Sequence, residues 1–367
     1  MNRISVIFQA PCRVFAAEEP LPPMRDQEVR VRTRLSAISA GTELRIYRGE
    51  IPLDWPLDSN LEALSGDFRY PLRYGYALVG SVEAVGDGVD PAWLGRSVFA
   101  FHPHCSAFCT RPESLIALPP DLDPFDAVFL PNTETAVGFM LDGRPQIGER
   151  IVVFGQGIVG LLTTALLRHY PLEAIVTLDR YRLRREASMA AGASESLDPN
   201  DSAGLQRVLD RLESDSASAG ADLIFELSGS PQALDQAISC CGFHSRIIVG
   251  SWYGTHRVEV DLGRDFHRKR IRLISSQVST VAPENTGRWS KKRQLQQALG
   301  WVRKLRPSRW ITQQFDVRNV EAAYRMLDER PDGSLQIVLT YDEAGGADGT
   351  GPNDGSRSQQ PPAKRVA

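Results

Sequence analysis

The chain has 367 residues, 42% of them apolar and 24% charged, and a formal net charge of -3. That length exceeds what one hydrophobic core usually organises and predicts two domains, while the near-neutral balance offers no electrostatic footprint for nucleic acid or another polyanion. The apolar runs are strand-sized, well short of the roughly 20 residues that a membrane-spanning helix needs. Five cysteines at irregular spacings (Cys12, Cys105, Cys109, Cys240, Cys241) follow an N-terminus without the apolar core of a signal peptide, which predicts a reducing, cytoplasmic setting.

From Ile4 to about Pro119, short runs such as E-V-R-V-R-T-R-L and A-L-V-G-S-V-E-A-V-G alternate with Pro, Gly and Asp turns, which predicts a β-rich domain. Residues 123–141 read as helical. From Gly148 apolar strands alternate with helical segments, as a parallel sheet requires; the strands are predicted at 151–154, 174–178, 223–226, 246–249 and 271–275. A helical run over 291–305, an extended segment at 310–315, a helix over 320–330 and a strand at 336–340 follow, and they are expected to return to the first domain. The predicted organisation is therefore 1–133 with 277–341 as one domain and 134–276 as the other. The tail 342–367 has almost no apolar side chains to offset the entropy of ordering and is expected to be disordered.

The stretch V-V-F-G-Q-G-I-V-G, 152–160, supplies the first chemical signal. Gly155 allows a sharp turn at the end of a strand, Gly157 has no Cβ to block a pyrophosphate, and Gly160 lets the next helix pack on the sheet. The amides of Gln156, Ile158 and Val159 then face an anion at the helix N-terminus. The second strand delivers Asp179, an acid suited to the adenosine ribose hydroxyls and unfavourable to a 2′-phosphate. NAD is expected. Arg180, with Arg182, Arg184 and Arg185, could instead reach a phosphate or form the solvated start of a helix, so NADP stays open.

Several segments in order, S-A-I-S-A-G-T-E-L (36–44), R-Y-G-Y-A-L-V-G-S-V-E-A-V-G (73–86), N-T-E-T-A-V (132–137), the glycine loop, F-E-L-S-G-S (225–230) and F-H-R-K-R-I-R-L-I-S-S-Q (266–277), resemble the medium-chain dehydrogenase/reductase family. Within it they are most similar to bacteriochlorophyllide dehydrogenase-like members. The resemblance implies an α/β fold in which a GroES-like β-rich catalytic domain precedes a Rossmann doubly wound parallel sheet. It also implies further cofactor contacts from Ser228, Gly229 and Ser251, and a homodimer joined through edge strands, with R-L-I-S-S-Q-V (272–278) as the candidate. The family's zinc ligands correspond here to Ala40, Tyr76 and Glu134. A methyl group cannot bind zinc and a neutral phenol is a poor ligand, so the expectation is a site without metal. One alternative is a metal held by His102, His104, Cys105 and Cys109 with Glu134, although their spacing matches no standard zinc module.

Hydride transfer to or from a carbon leaves an oxygen that must gain or lose a proton. Thr42 and Glu43 match the family's hydroxyl and acid, and Tyr76 stands where a metal ligand would. Glu134 and His104 are the candidate proton carriers. The bland roles are a helix cap for Thr42, backbone bonding for Glu43 and cavity filling for Tyr76. The expected activity is zinc-independent, NAD(P)-dependent oxidoreduction of an alcohol or carbonyl in a small molecule. Reduction of an enone or quinone, or cofactor binding without turnover as a sensor or structural partner, are the competing uses. Tyr47, Trp55, Trp252 and Tyr253 could border a substrate.

Overall fold

The structure is a computed structural model and describes residues 1–58, 62–201 and 219–341; the tail expected to be disordered lies outside these residues. Strands β1 (Asn2–Ala10) and β2 (Arg13–Pro20) form an antiparallel hairpin. Alternation then decides the faces of β3 (Val29–Ala37): Val29, Val31 and Leu35 are buried, while Arg30 and Arg32 reach outward and both bind Glu83, at 2.6 and 2.7 Å. The antiparallel strands β4 (Leu78–Val85), β5 (Ser97–Ala100), β6 (Ala107–Thr110) and β7 (Leu115–Ala117) complete the N-terminal part of this sheet.

A second sheet contains β8 (Arg150–Phe154), β9 (Ala174–Leu178), β10 (Glu195–Leu197), β11 (Ala221–Glu226), β12 (Cys241–Val249) and β13 (Arg272–Ser275), in the order β10-β9-β8-β11-β12-β13 and all parallel. Every residue of β8 and β9 is buried, as expected of strands covered on both faces. Counted from β8, the order is 3-2-1-4-5-6, the doubly wound arrangement whose ligand crevice opens where the order reverses, between β8 and β11. The chain then returns. β15 (Gln336–Thr340) pairs with β3 and with β14 (Ile311–Asp316), extending the first sheet.

The helix Leu130–Gly143 lies between the sheets and packs with the helix Lys291–Leu305. One continuous core joins Leu35, Val79 and Phe99 of the first sheet to Phe139 of this helix and to Val153, Phe225 and Ile248 of the second. Each such fully buried Leu, Val or Phe contributes about 1.5–3 kcal/mol of transfer free energy. The two sheets are therefore held against a shared apolar wall, with their cleft at the ends of β8, β11 and β12. No helix among the described residues is long and apolar enough to cross a membrane.

Two elements differ from the sequence expectation. The sixth strand of the parallel sheet is the three-residue E-S-L at β10, too short and polar to carry a periodic signal. The helix after S-A-I-S begins at Ala40 rather than beyond Thr42, with Ser39 at its N-cap and Glu43 Oε1 accepting from the Ser39 amide at 2.8 Å. Thr42 is thus inside the first turn; Ser39 holds the N-cap position without a side-chain cap bond, and Glu43 accepts from its amide.

Candidate active site

The glycine loop is built as its three glycines require. Gly155 has φ +87°, and a Cβ there would lie 2.5 Å from Ser228 Cα, so β8 and the β11 loop touch backbone to backbone. A Cβ on Gly160 would lie 2.0 Å from Gly155 O, which packs the helix Ile158–Leu167 onto its own turn. Gly157 is different. A Cβ there would meet nothing within 4 Å, so this glycine keeps open a surface beside the uncapped first amides of Ile158 and Val159. Asp179 is buried, and its two oxygens accept from the amides of Gln156 (2.8 Å) and Tyr181 (2.9 Å), tying the loop to the second strand. The Gln156 side chain is buried between Gly155 O and Thr164 Oγ1.

The arginines after Asp179 divide in role. Arg180 is exposed with its guanidinium 4.6 Å from the Tyr181 ring centroid, Arg182 pairs with Glu186, and Arg185 bonds the carbonyls of Asp179 and Arg180. Arg184 approaches Asp179 Oδ2 to 3.9 Å, close enough to share its charge. These residues fit the adenosine end of a dinucleotide, with a carboxylate at the ribose position and no Cβ over the pyrophosphate position.

The loops after β11 and β12 close the other side. Glu226, fully buried at the end of β11, accepts from the amide and hydroxyl of Ser228 and from the Tyr253 hydroxyl. Burial, and then the Glu226 carboxylate, push the Tyr253 phenol upward, keeping it protonated. Gly229 N donates to Ser251 Oγ at 2.8 Å, so Ser228, Gly229 and Ser251 form one bonded unit. Arg45, on the helix Ala40–Arg48, crosses the cleft to the carbonyls of Gly229 (3.1 Å) and Tyr253 (3.3 Å). Glu226 and Arg45 were not anticipated. The signal for the first was an acid directly after the buried apolar run Leu223–Phe225.

On the catalytic side Tyr76 donates to Ser39 Oγ, and the Thr42 hydroxyl bonds the same phenol oxygen. Burial, with Glu43 nearby, raises the pKa of Tyr76. Glu43 is fully buried and accepts from the Ser39 amide, from Tyr324 and from His104 Nε2 at 2.9 Å; His104 Nδ1 meets Ser36 Oγ at 2.7 Å, and Ser36 meets Tyr341 at 2.8 Å. His104 has no exposed surface, and its ring packs under Gly75, one residue before Tyr76. Thr42, Glu43, Tyr76 and His104 are therefore brought together, with His104 behind Tyr76 rather than on the cleft. Ser39, Tyr324 and Tyr341 join them unforeseen.

Glu134 sits apart from that network. It is 4% exposed, and Lys291 at the start of the helix Lys291–Leu305 meets its Oε1 at 2.7 Å while also donating to Val278 O. Burial raises the Glu134 carboxyl and the ammonium opposes it. Lys291 is the partner that a buried carboxylate demands.

The residues that the resemblance sets at the family's metal position do not fit a zinc ion. Ala40 has no donor atom, Tyr76 is committed to Ser39 and Glu134 to Lys291. Among the described residues no group of three or more His, Cys, Asp or Glu side chains is placed to hold a metal. The 102–109 run diverges: His102 stacks on Phe108 (4.0 Å between centroids) with Nδ1 at Pro103 O, whereas Cys109 Sγ points to Pro22 O. Cys105 is buried, and burial pushes its thiol up to about 12.

Comparison with known proteins gives a consistent placement. A family model described as zinc-binding dehydrogenase matches residues 159–295. The starvation-sensing protein RspB of Escherichia coli is 21% identical over 92% of this chain and 99% of its own length. L-threonine 3-dehydrogenase of Bacillus subtilis is 25% identical over 67% of this chain and 74% of its own. Among solved structures, an alcohol dehydrogenase from E. coli CFT073 in complex with NADH superposes with a TM-score of 0.74 at 19% identity, covering 93% of this chain and 99% of that one.

Proposed function

We propose that this chain is a member of the zinc-binding dehydrogenase family and an NAD(P)-dependent alcohol dehydrogenase or carbonyl reductase that works without zinc. The observation that carries the reading is the glycine loop, where Gly157 leaves the anion position open while Asp179 is fixed by two amides. The loop, Asp179, Ser228, Gly229 and Ser251 would hold the dinucleotide, with NAD favoured because Asp179 stands at the ribose position. Nicotinamide, when bound, supplies or takes up the hydride.

The chain's own groups manage the oxygen and its proton. Tyr76 stays protonated because burial and Glu43 disfavour the phenolate, and its single O–H, which donates to Ser39 Oγ, would turn to a bound substrate oxygen as negative charge develops there. Ser39 and Thr42 fix the phenol, while Glu43, braced by His104 and Tyr324, holds the turn that carries Ser39. Glu134 is the proton acceptor in this scheme, and the partly exposed Lys291 links it to solvent. The substrate class we favour is a small polar molecule with a secondary alcohol, by analogy with the threonine dehydrogenase relative.

The same reading assigns 134–276 to the cofactor domain and 1–133 with 277–341 to the catalytic domain. It gives the protein a cytoplasmic setting, consistent with five unpaired cysteines. The edge strand β13, with Leu273 exposed, is its candidate homodimer surface.

The test is NAD⁺ titration followed by a panel of L-threonine, 2,3-butanediol and galactitol, comparing the natural chain with Tyr76→Phe. The expected result is NADH formation with one of these alcohols and a loss of about a hundredfold or more in kcat on losing the phenol, with NAD⁺ affinity unchanged. Turnover that survives the substitution would remove Tyr76 from the mechanism.

A further inference from the structure

Residues 288–293 read R-W-S-K-K-R, so Arg288, Lys291, Lys292 and Arg293 gather at the N-terminus of the helix Lys291–Leu305. This is the end of a helix where the macrodipole disfavours cations. Lys291 is accounted for by Glu134 and Val278. The remaining charges are not. The Arg288 side chain is exposed and makes no hydrogen bond or ion pair with the described residues, while its amide donates to Asn285 O at 3.0 Å. Arg293 lies with its guanidinium 4.2 Å from the Trp289 centroid and donates to Arg288 O, which orients it toward the same space.

Across from them stands Arg144, the residue that ends the helix Leu130–Gly143. It has φ +48°, a left-handed conformation unfavourable to a residue with a side chain, directly after a glycine that could have taken it. Its nearest carboxylate, Glu284, is 3.7 Å away and both side chains are exposed, so the pair is weak. Asn285, buried and bonded to Leu141 O, ties the 283–290 segment to that helix end. Between the two segments is a pocket of about 300 Å³, lined by Arg144, Arg288 and Arg293 together with Met140, Leu141 and Trp289.

We propose that this pocket binds a small organic phosphate, at a site separate from the glycine loop. Three guanidinium groups match the oxygens of a phosphate, which accepts paired N–H bonds. Trp289, Met140 and Leu141 supply an apolar wall for a short carbon skeleton, and the volume is that of a small-molecule site. The local cationic surplus runs against the chain's net charge of -3, so it is not a by-product of composition. The pocket itself does not rest on the oxidoreductase reading, and the Arg144 and Arg288 variants separate it from the glycine loop whether or not NAD⁺ occupies that loop.

The probe is inorganic pyrophosphate, followed by calorimetry on the full chain with NAD⁺ at saturation so that the glycine loop is filled. The expected result is one saturable event per chain, weakened about tenfold or more in Arg144→Gln/Arg288→Gln, since two charge-assisted contacts are lost. It should be unchanged in Arg13→Gln/Arg111→Gln, which removes the same charge from exposed positions elsewhere. Arg288→Gln alone, at a side chain with no partner to lose, should show part of the weakening in a chain whose melting temperature is unaltered. No saturable uptake, or an equal loss in the control variant, overturns the site.

Discussion

Tyr76 illustrates how one side chain can change the chemistry of a position. Where, by the family resemblance, an imidazole would hand a lone pair to a metal, a phenol bonded to Ser39 and Thr42 stands here, burial keeps its proton on, and in the proposed scheme it donates that proton in a hydrogen bond. His102 shows the converse effect of burial. Desolvation, opposed by its bond to the Pro103 carbonyl, lowers its pKa from 6.5 to about 4. Between those values the unfolded chain binds a proton that the folded chain does not, so the contribution is present above pH 6.5 and is lost as pH falls toward 4. His102→Gln should therefore flatten the acid limb of stability by on the order of 1–3 kcal/mol, read from urea midpoints at pH 7 and pH 5. An unchanged acid limb would show that His102 is already solvated in the folded chain.

At the scale of the element, the strand-turn-helix from β8 into Ile158–Leu167 separates binding from folding. Gly157→Ala adds a methyl group where there is room, so the melting temperature should hold while NAD⁺ affinity falls about tenfold. Gly160→Ala drives a methyl into Gly155 O and should destabilise the chain by about 1–3 kcal/mol. Differential scanning fluorimetry with and without NAD⁺ distinguishes the two, and equal melting shifts would mean that Gly157 is a folding glycine only. Elements with a clear apolar pattern were legible from the sequence for the same physical reason that their apolar positions are buried: residues 174–178 and 336–340 are strands with the predicted bounds, and the amphipathic 291–305 is a helix with the predicted bounds. β10 was not legible, because E-S-L gains its strand geometry from pairing with β9 and not from its own side chains.

For the whole molecule, the site depends on partners that chain distance hides. Thr42, Glu43 and Tyr76 could be read from short motifs, but Tyr324 reaches Glu43 only because β15 and the helix Val320–Glu329 return to the first sheet. Lys291 meets Glu134 only because two helices far apart in sequence pack together, and Arg45 meets Gly229 and Tyr253 only when the two sheets face each other. No local periodicity encodes such meetings. The cleft so formed has the glycine loop, Asp179 and the Ser228–Gly229–Ser251 unit on one wall and, on the other, protic groups already bonded to protein.

The central claim is that hydride transfer proceeds in this cleft without a metal. Its most direct test is NAD⁺ reduction by protein stripped with a chelator, shown metal-free by elemental mass spectrometry and supplied with the alcohol identified in the panel. The account predicts a rate equal to that of untreated protein and no gain on adding zinc. A rate that disappears on stripping and returns with about one zinc per chain, as a catalytic zinc site would give, would contradict it.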